Sequence, residues 1–166
     1  MKDIKNTFVE KLHECNQHKT RLMRAKSHLK DFMPIDKDQY MNFGDIEMGF
    51  IDQMIFRFSK LQDTMGEKLF PSLLELMGEE IKSKPFIDRL NRIEELGILY
   101  KDEWMALRKD RNEIAHEYSF NQDEVIDGIN IIYTSSDQLL AIYDALYLYI
   151  QEKFTFVRGH EVLNLS

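Results

Sequence analysis

The sequence predicts an all-α fold, an antiparallel bundle of about five helices. Long segments carry apolar residues three and four positions apart, the spacing that lines one face of a helix. The 3 prolines and 7 glycines fall between these segments as punctuation. Strand-like alternation does not persist anywhere ahead of the last dozen residues, and no internal repeat or low-complexity tract interrupts the pattern.

The first helix aligns Phe8, Leu12, Cys15, Leu22, Leu29 and Met33 on one stripe, and Pro34 follows as a stop. A turn-rich stretch, PIDKDQYMNFGD, separates it from the second helix, which begins near Asp45. There Phe50, Ile51, Met54, Phe58, Leu61, Met65 and Leu69 face inward. Pro71 is expected to kink or end that helix, since proline lacks the backbone donor and crowds the preceding turn.

The third helix is short. Pro85 stands at its first turn, Phe86, Ile87, Leu90 and Ile93 face the core, and Gly97 sits where a left-handed cap is wanted. A fourth helix starts near Asp102 and runs through WMALRKDRNEIAHEY to the break SFNQ. Asn121 and Glu124 then have capping-box spacing for the fifth, which lays Val125, Ile129, Ile132, Leu139, Tyr143, Leu146 and Ile150 along one face. Residues 1–154 thus read as one helical domain. Residues 155–166 read as a C-terminal tail without helical pattern, either a docked extended segment or frayed.

With 166 residues, 43% apolar and 31% charged, the chain has the size of one domain and needs no staple. One cysteine, Cys15, forms no internal bridge and fits a reducing cytoplasm. The start MKDIKNTFVEKLHEC has no signal-peptide core, and no stretch has the apolar length of a membrane span, so a soluble, cytoplasmic protein is expected. The net charge of -7 opposes non-specific nucleic-acid binding at long range, and any such function must rest on a local basic cluster.

The fourth helix holds the arrangement hardest to explain by packing. Trp104, Leu107, Arg111, Ile114 and Tyr118 recur at intervals of three and four, which puts Arg111 on the apolar stripe itself. A guanidinium there needs an ion-pair partner, a cleft or a second chain. Asn112 and His116, four apart, share a face. On a straight helix Arg111 and His116 lie roughly 140° apart, so either the helix loosens before His116 or a second copy completes the site.

An arginine, an asparagine and a histidine without a carboxylate pair suit phosphodiester cleavage. Arginine holds a phosphate and stabilises the charge that develops on it, and imidazole moves protons near neutral pH. RNA brings its own nucleophile, the 2′-hydroxyl, so no metal is required. Base and acid are both needed, and two chains about a two-fold axis would bring two histidines. The structural alternative pairs Arg111 with Glu113, Asp110 or an acid on another helix and leaves His116 as a helix-end histidine.

The run from Arg111 through Asn112 and His116 to Tyr118 resembles the signature of the HEPN superfamily, and the trailing tyrosine makes it similar to the HepT-like toxins. The stretches IDQMIFRFSKLQDTMGEKLF and FIDRLNRIEELGILYKDEWMALRKDRNEIAHEY also resemble that pattern. The resemblance implies a HEPN-like bundle and a metal-independent ribonuclease toxin. It further implies a homodimer whose two motifs meet at a cleft, with Arg111, His116 and Asn112 as catalytic residues and RNA as substrate. A nucleotidyltransferase antitoxin is the implied partner, attaching AMP to Tyr118, where bulk and phosphate charge would obstruct the site beside Arg111. The rival readings are a non-catalytic substrate-binding or docking subunit of a nucleotidyltransferase, and a purely structural helical dimer.

Weaker signals have plainer readings. His13, Cys15 and His18 fall short of a zinc ligand set. Arg57, among Phe56, Phe58 and Leu61, either snorkels or pairs with Asp63 or an acid elsewhere; its functional reading is RNA-binding support beside Arg108 and Lys109, with Arg89 and Arg92 completing a basic patch. Tyr133, Tyr143, Tyr147 and Tyr149 read as core and dimer-surface residues. The acidic pairs Glu79-Glu80 and Glu94-Glu95 read as solvated faces.

Overall fold

The computed structural model describes residues 3–114 and 120–158. They form an all-α bundle. Its long members are α1 (Ile4–Leu29), α3 (Asp45–Thr64), α6 (Lys101–Ile114) and α7 (Gln122–Lys153), with α2 (Lys37–Asn42), α4 (Phe70–Leu76), α5 (Phe86–Glu95) and α8 (Thr155–Arg158) between and after them.

Side-chain pairs fix the directions. His28 stacks on Phe50, His18 meets Arg57 and Glu14 meets Lys68, so positions descend on α1 as they rise through α3 and beyond. Lys26 with Asp137 and Lys19 with Asp144 show the same reversal between α1 and α7. Asp110 with Ser135, and Ile114 beside Gly128, show it between α6 and α7. Hence α1 and α6 run one way and α3 and α7 the other; α1 against α3 and α6 against α7 are antiparallel, while α3 and α7 touch in parallel.

One core fills the space between them. Phe8, Leu22, Met54, Phe58, Trp104, Leu139, Tyr143 and Leu146 are fully buried. Burial of such side chains stabilises the fold by roughly 1.5–3 kcal/mol each before entropy is counted. Tyr143 carries its hydroxyl into this core and donates to Asn16 Oδ1. Burial also pushes the Cys15 thiol far above its ordinary range, so Cys15 is an inert apolar residue of α1.

Several boundaries follow the sequence signals. Asn121 accepts from the backbone N–H of Asp123 and Glu124 at the start of α7. Pro85 precedes α5, and Gly97 after it has φ +79°, a conformation that costs a residue without Cβ nothing. Val125 is only partly buried, while the other expected inward residues of α7 are core.

Others differ for local reasons. Helix α1 stops at Leu29 and a 3-10 turn, Lys30–Phe32, follows; Met33 is extended because Pro34 disfavours helical backbone before it. The turn-rich stretch contains α2, nucleated by reciprocal hydrogen bonds between Asp36 and Gln39. Asn130 of α7 clamps that stretch by bonding both the N–H and the carbonyl of Ile35. Pro71 does not end the second helical segment. A π-helical turn, Met65–Leu69, widens the backbone, Phe70 N–H reaches the carbonyl of Met65, and Pro71 falls in the first turn of α4 where no donor is required.

Ile87 is 43% exposed, contrary to expectation, because α5 turns Leu90 and Ile93 inward instead. The described start of the tail is neither extended nor frayed. Residues 155–158 form the helical turn α8, Val157 is buried in the core, and Phe154 packs near Phe8.

Candidate functional site

The cleft that gathers three of the predicted basic residues, Arg89, Arg108 and Arg111, lies where α3, the π-helical turn, α5 and α6 meet, and it encloses about 530 Å³. That volume falls in the range of small-molecule and nucleotide sites. Helix α6 supplies Trp104, Arg108, Arg111 and Asn112, spaced so that all four fall within roughly 100° of the helix circumference. Trp104 is the buried anchor, its ring centroid 4.9 Å from that of Phe70. Gly66 in the π-helical turn lets the indole approach: a Cβ there would lie 3.2 Å from Trp104 Cζ2.

Arg111 is the hinge between α6 and α3. Its Nη2 donates to Asp63 Oδ2 at 2.8 Å, with about a third of each side chain exposed. The ion-pair partner is therefore an acid on another helix and neither neighbour on its own: Asp110 accepts from Ser135 Oγ, and Glu113 lies 3.9 Å from Lys109. The Nε of Arg111 is buried and has no partner among the described residues. A guanidinium held at one nitrogen by a carboxylate is oriented, and its remaining donors suit an anion.

Two more arginines join it. Arg108 lies with its guanidinium 4.7 Å from the ring centre of Phe86, and Arg89 enters from α5 with a buried, unpartnered Nε. Asp63 and Glu67 offset two of these three charges, which leaves the cleft basic in a chain of net charge -7. Asn112 stands on the exposed margin of the same cleft.

At the floor is Gln62, 3% exposed, whose amide nitrogen and oxygen are both shielded and both without a partner among the described residues. Leaving such groups unpaired costs about 1–3 kcal/mol each. Its position was readable, since it lies four residues after Phe58 and three before Met65, on the apolar stripe. Asp63 and Phe86 carried no comparable signal.

Not every expected residue is here. Lys109 is 75% exposed, points some 140° round α6 from Trp104, and does not line the cleft. Arg57 lies six residues before Asp63, some 120° round α3, and faces α1. Its Nη1 donates to His18 Nδ1 at 2.9 Å and its guanidinium lies 5.0 Å from the centre of the Phe56 ring. Arg57 therefore gives this cleft no support. Arg92 is engaged by Glu79 and Glu95. His116 and Tyr118 lie outside the described residues.

The His18 imidazole accepts from a permanently charged donor inside the bundle. Burial first, and the Arg57 charge second, hold its pKa below the ordinary histidine value. Among the described residues no three His, Cys, Asp or Glu side chains are grouped to hold a metal ion, and no helix is long and apolar enough to cross a membrane. Comparisons of the chain with protein-family models, with curated proteins and with solved structures return no match.

Proposed function

We propose that this chain is the toxin of a toxin–antitoxin pair, a cytoplasmic, metal-independent RNA endonuclease that works as a homodimer. The observation that carries the reading is the convergence of Arg89, Arg108 and Arg111 on one cleft beside Asn112. It supplies the local cation cluster that an acidic protein needs in order to hold a polyanion. The resemblance of the run from Arg111 to Tyr118 to the HepT-like signature points the same way.

In the reaction, Arg111 binds the scissile phosphate and stabilises the charge that grows on its oxygens. One His116 takes the proton of the 2′-hydroxyl, which attacks phosphorus to form a 2′,3′-cyclic phosphate. His116 of the second protomer gives a proton to the departing 5′-oxygen. Asn112 orients the imidazole or the phosphate. Tyr118 is the acceptor through which a nucleotidyltransferase antitoxin silences the site.

The test is cleavage of RNA by the full chain with and without a chelator. His116→Ala lowers the rate on the order of 10²- to 10⁴-fold and the chelator changes nothing. Full cleavage by His116→Ala, or strict dependence on added magnesium, overturns the mechanism. A wild-type chain that cleaves no RNA yet binds a nucleotidyltransferase would instead be its docking subunit. Incubation with that partner and ATP adds AMP to the wild type and not to Tyr118→Phe, as read by intact mass.

A further inference from the structure

We propose that Gln62 reads the nucleobase attached to the phosphate that the arginines hold, and so sets the sequence preference of the cleft. The proposal rests on the RNA reading above.

A carboxamide presents one donor and one acceptor side by side, and every base offers an edge with a matching acceptor and donor. Gln62 has both groups unpaired at 3% exposure, in a residue that lines the cleft. It sits next in sequence to Asp63, which anchors Arg111. The arginines and Gln62 line the same cleft, so a nucleotide whose phosphate meets the arginines has its base within that cleft. Arg108, its guanidinium held over the Phe86 ring, offers a plane on which a base can stack.

Among the described residues no hydrogen bond holds the carboxamide at this position. Phe58, Leu61 and Met65 around it on α3 are apolar and fully buried. An unpaired polar group in such a setting weakens the fold, and sites that sacrifice stability in this way are characteristic of binding residues. A glutamine kept for structure and one kept for recognition therefore differ in sign: removal destabilises in the first case and stabilises in the second.

The experiment compares the full-length wild type with Gln62→Leu, using five fluorescein-labelled 2′-O-methyl RNA tetramers: four homopolymers and one abasic strand. The methyl group blocks the internal nucleophile, so anisotropy reads binding without cleavage. The wild type prefers one base about 10-fold over the abasic strand. Gln62→Leu binds all five within about 2-fold of one another, with an unchanged salt slope because the arginines remain. Its Tm rises by roughly 2–4 °C.

A lower Tm, a preference retained by the variant, or wild-type binding that ignores the base overturns the proposal. If the branched shape of leucine keeps Gln62→Leu from folding, Gln62→Met, which matches the side chain in length, is judged by the same criteria: lost base preference with a raised Tm supports the assignment, and a retained preference or a lowered Tm overturns it. Base-selective binding without cleavage of ordinary RNA would remove the nuclease reading alone. Cleavage with binding indifferent to base would remove this proposal alone.

Discussion

Arg111→Gln should separate function from stability in this bundle. The guanidinium reaches Asp63 at 2.8 Å, and two unit charges about 4 Å apart attract by roughly 4 kcal/mol at an effective dielectric constant of 20. Desolvation and the ordering of two side chains oppose that attraction, and with 31% and 34% of the side chains exposed the pair is screened by solvent. The net contribution is then about 1 kcal/mol or less. For a chain of this length, Arg111→Gln lowers Tm by roughly 2–4 °C.

On the proposed nuclease reading, the same guanidinium also meets the charge that develops on the scissile phosphate. RNA cleavage should fall at least about 10²-fold. A double-mutant cycle with Asp63→Asn, measured by urea denaturation, should return a coupling of about 0.5 kcal/mol that shrinks near 1 M salt, where the Debye length is ~3 Å. A Tm loss beyond about 10 °C would make Arg111 a structural keystone and refute the reasoning. So would unimpaired cleavage by the folded variant.

Two other perturbations probe the frame around the site. Gly128→Ala in α7 gains about 1 kcal/mol of helix propensity, yet its Cβ would lie 2.8 Å from Ile114 Cδ1, an overlap worth about 1–3 kcal/mol. Alone the substitution should be neutral to destabilising; in an Ile114→Val background, which removes that Cδ1, it should stabilise by about 1 kcal/mol, and strictly additive denaturation energies would show that the helices are not held this closely. The lowered pKa of His18 means that the unfolded chain binds more protons than the folded one between the folded value and the ordinary 6.5. Stability should therefore rise with pH up to that ordinary value and be lost as pH falls toward the folded pKa. His18→Gln, which retains an acceptor for Arg57, should flatten the profile just below the ordinary histidine value of 6.5, and an unaltered slope in urea titrations would assign it to other groups.

The sequence by itself determined the helical class and most helix limits, because those depend on neighbours in the chain. Asn121 can cap only the segment that follows it, Pro85 and Gly97 bracket α5, and the stripe from Phe50 to Leu69 runs inward along α3 into the π-helical turn. Local exceptions were harder: α2 is a single capped turn-scale helix inside a stretch rich in turn residues, and the π-helical turn before Pro71 leaves no periodic mark. Arg111 was legible as a misfit on an apolar stripe, but its partner was not. Asp63 lies 48 positions earlier, and nothing near either residue encodes the rotation at which α3 meets α6. That rotation turns Arg57 toward His18 and away from the cleft, leaves Lys109 in solvent, and buries Gln62 unpaired beside three arginines. Periodicity says which residues share a face of one helix; which faces meet is decided by the packing of all the helices together, and only the tertiary structure contains it.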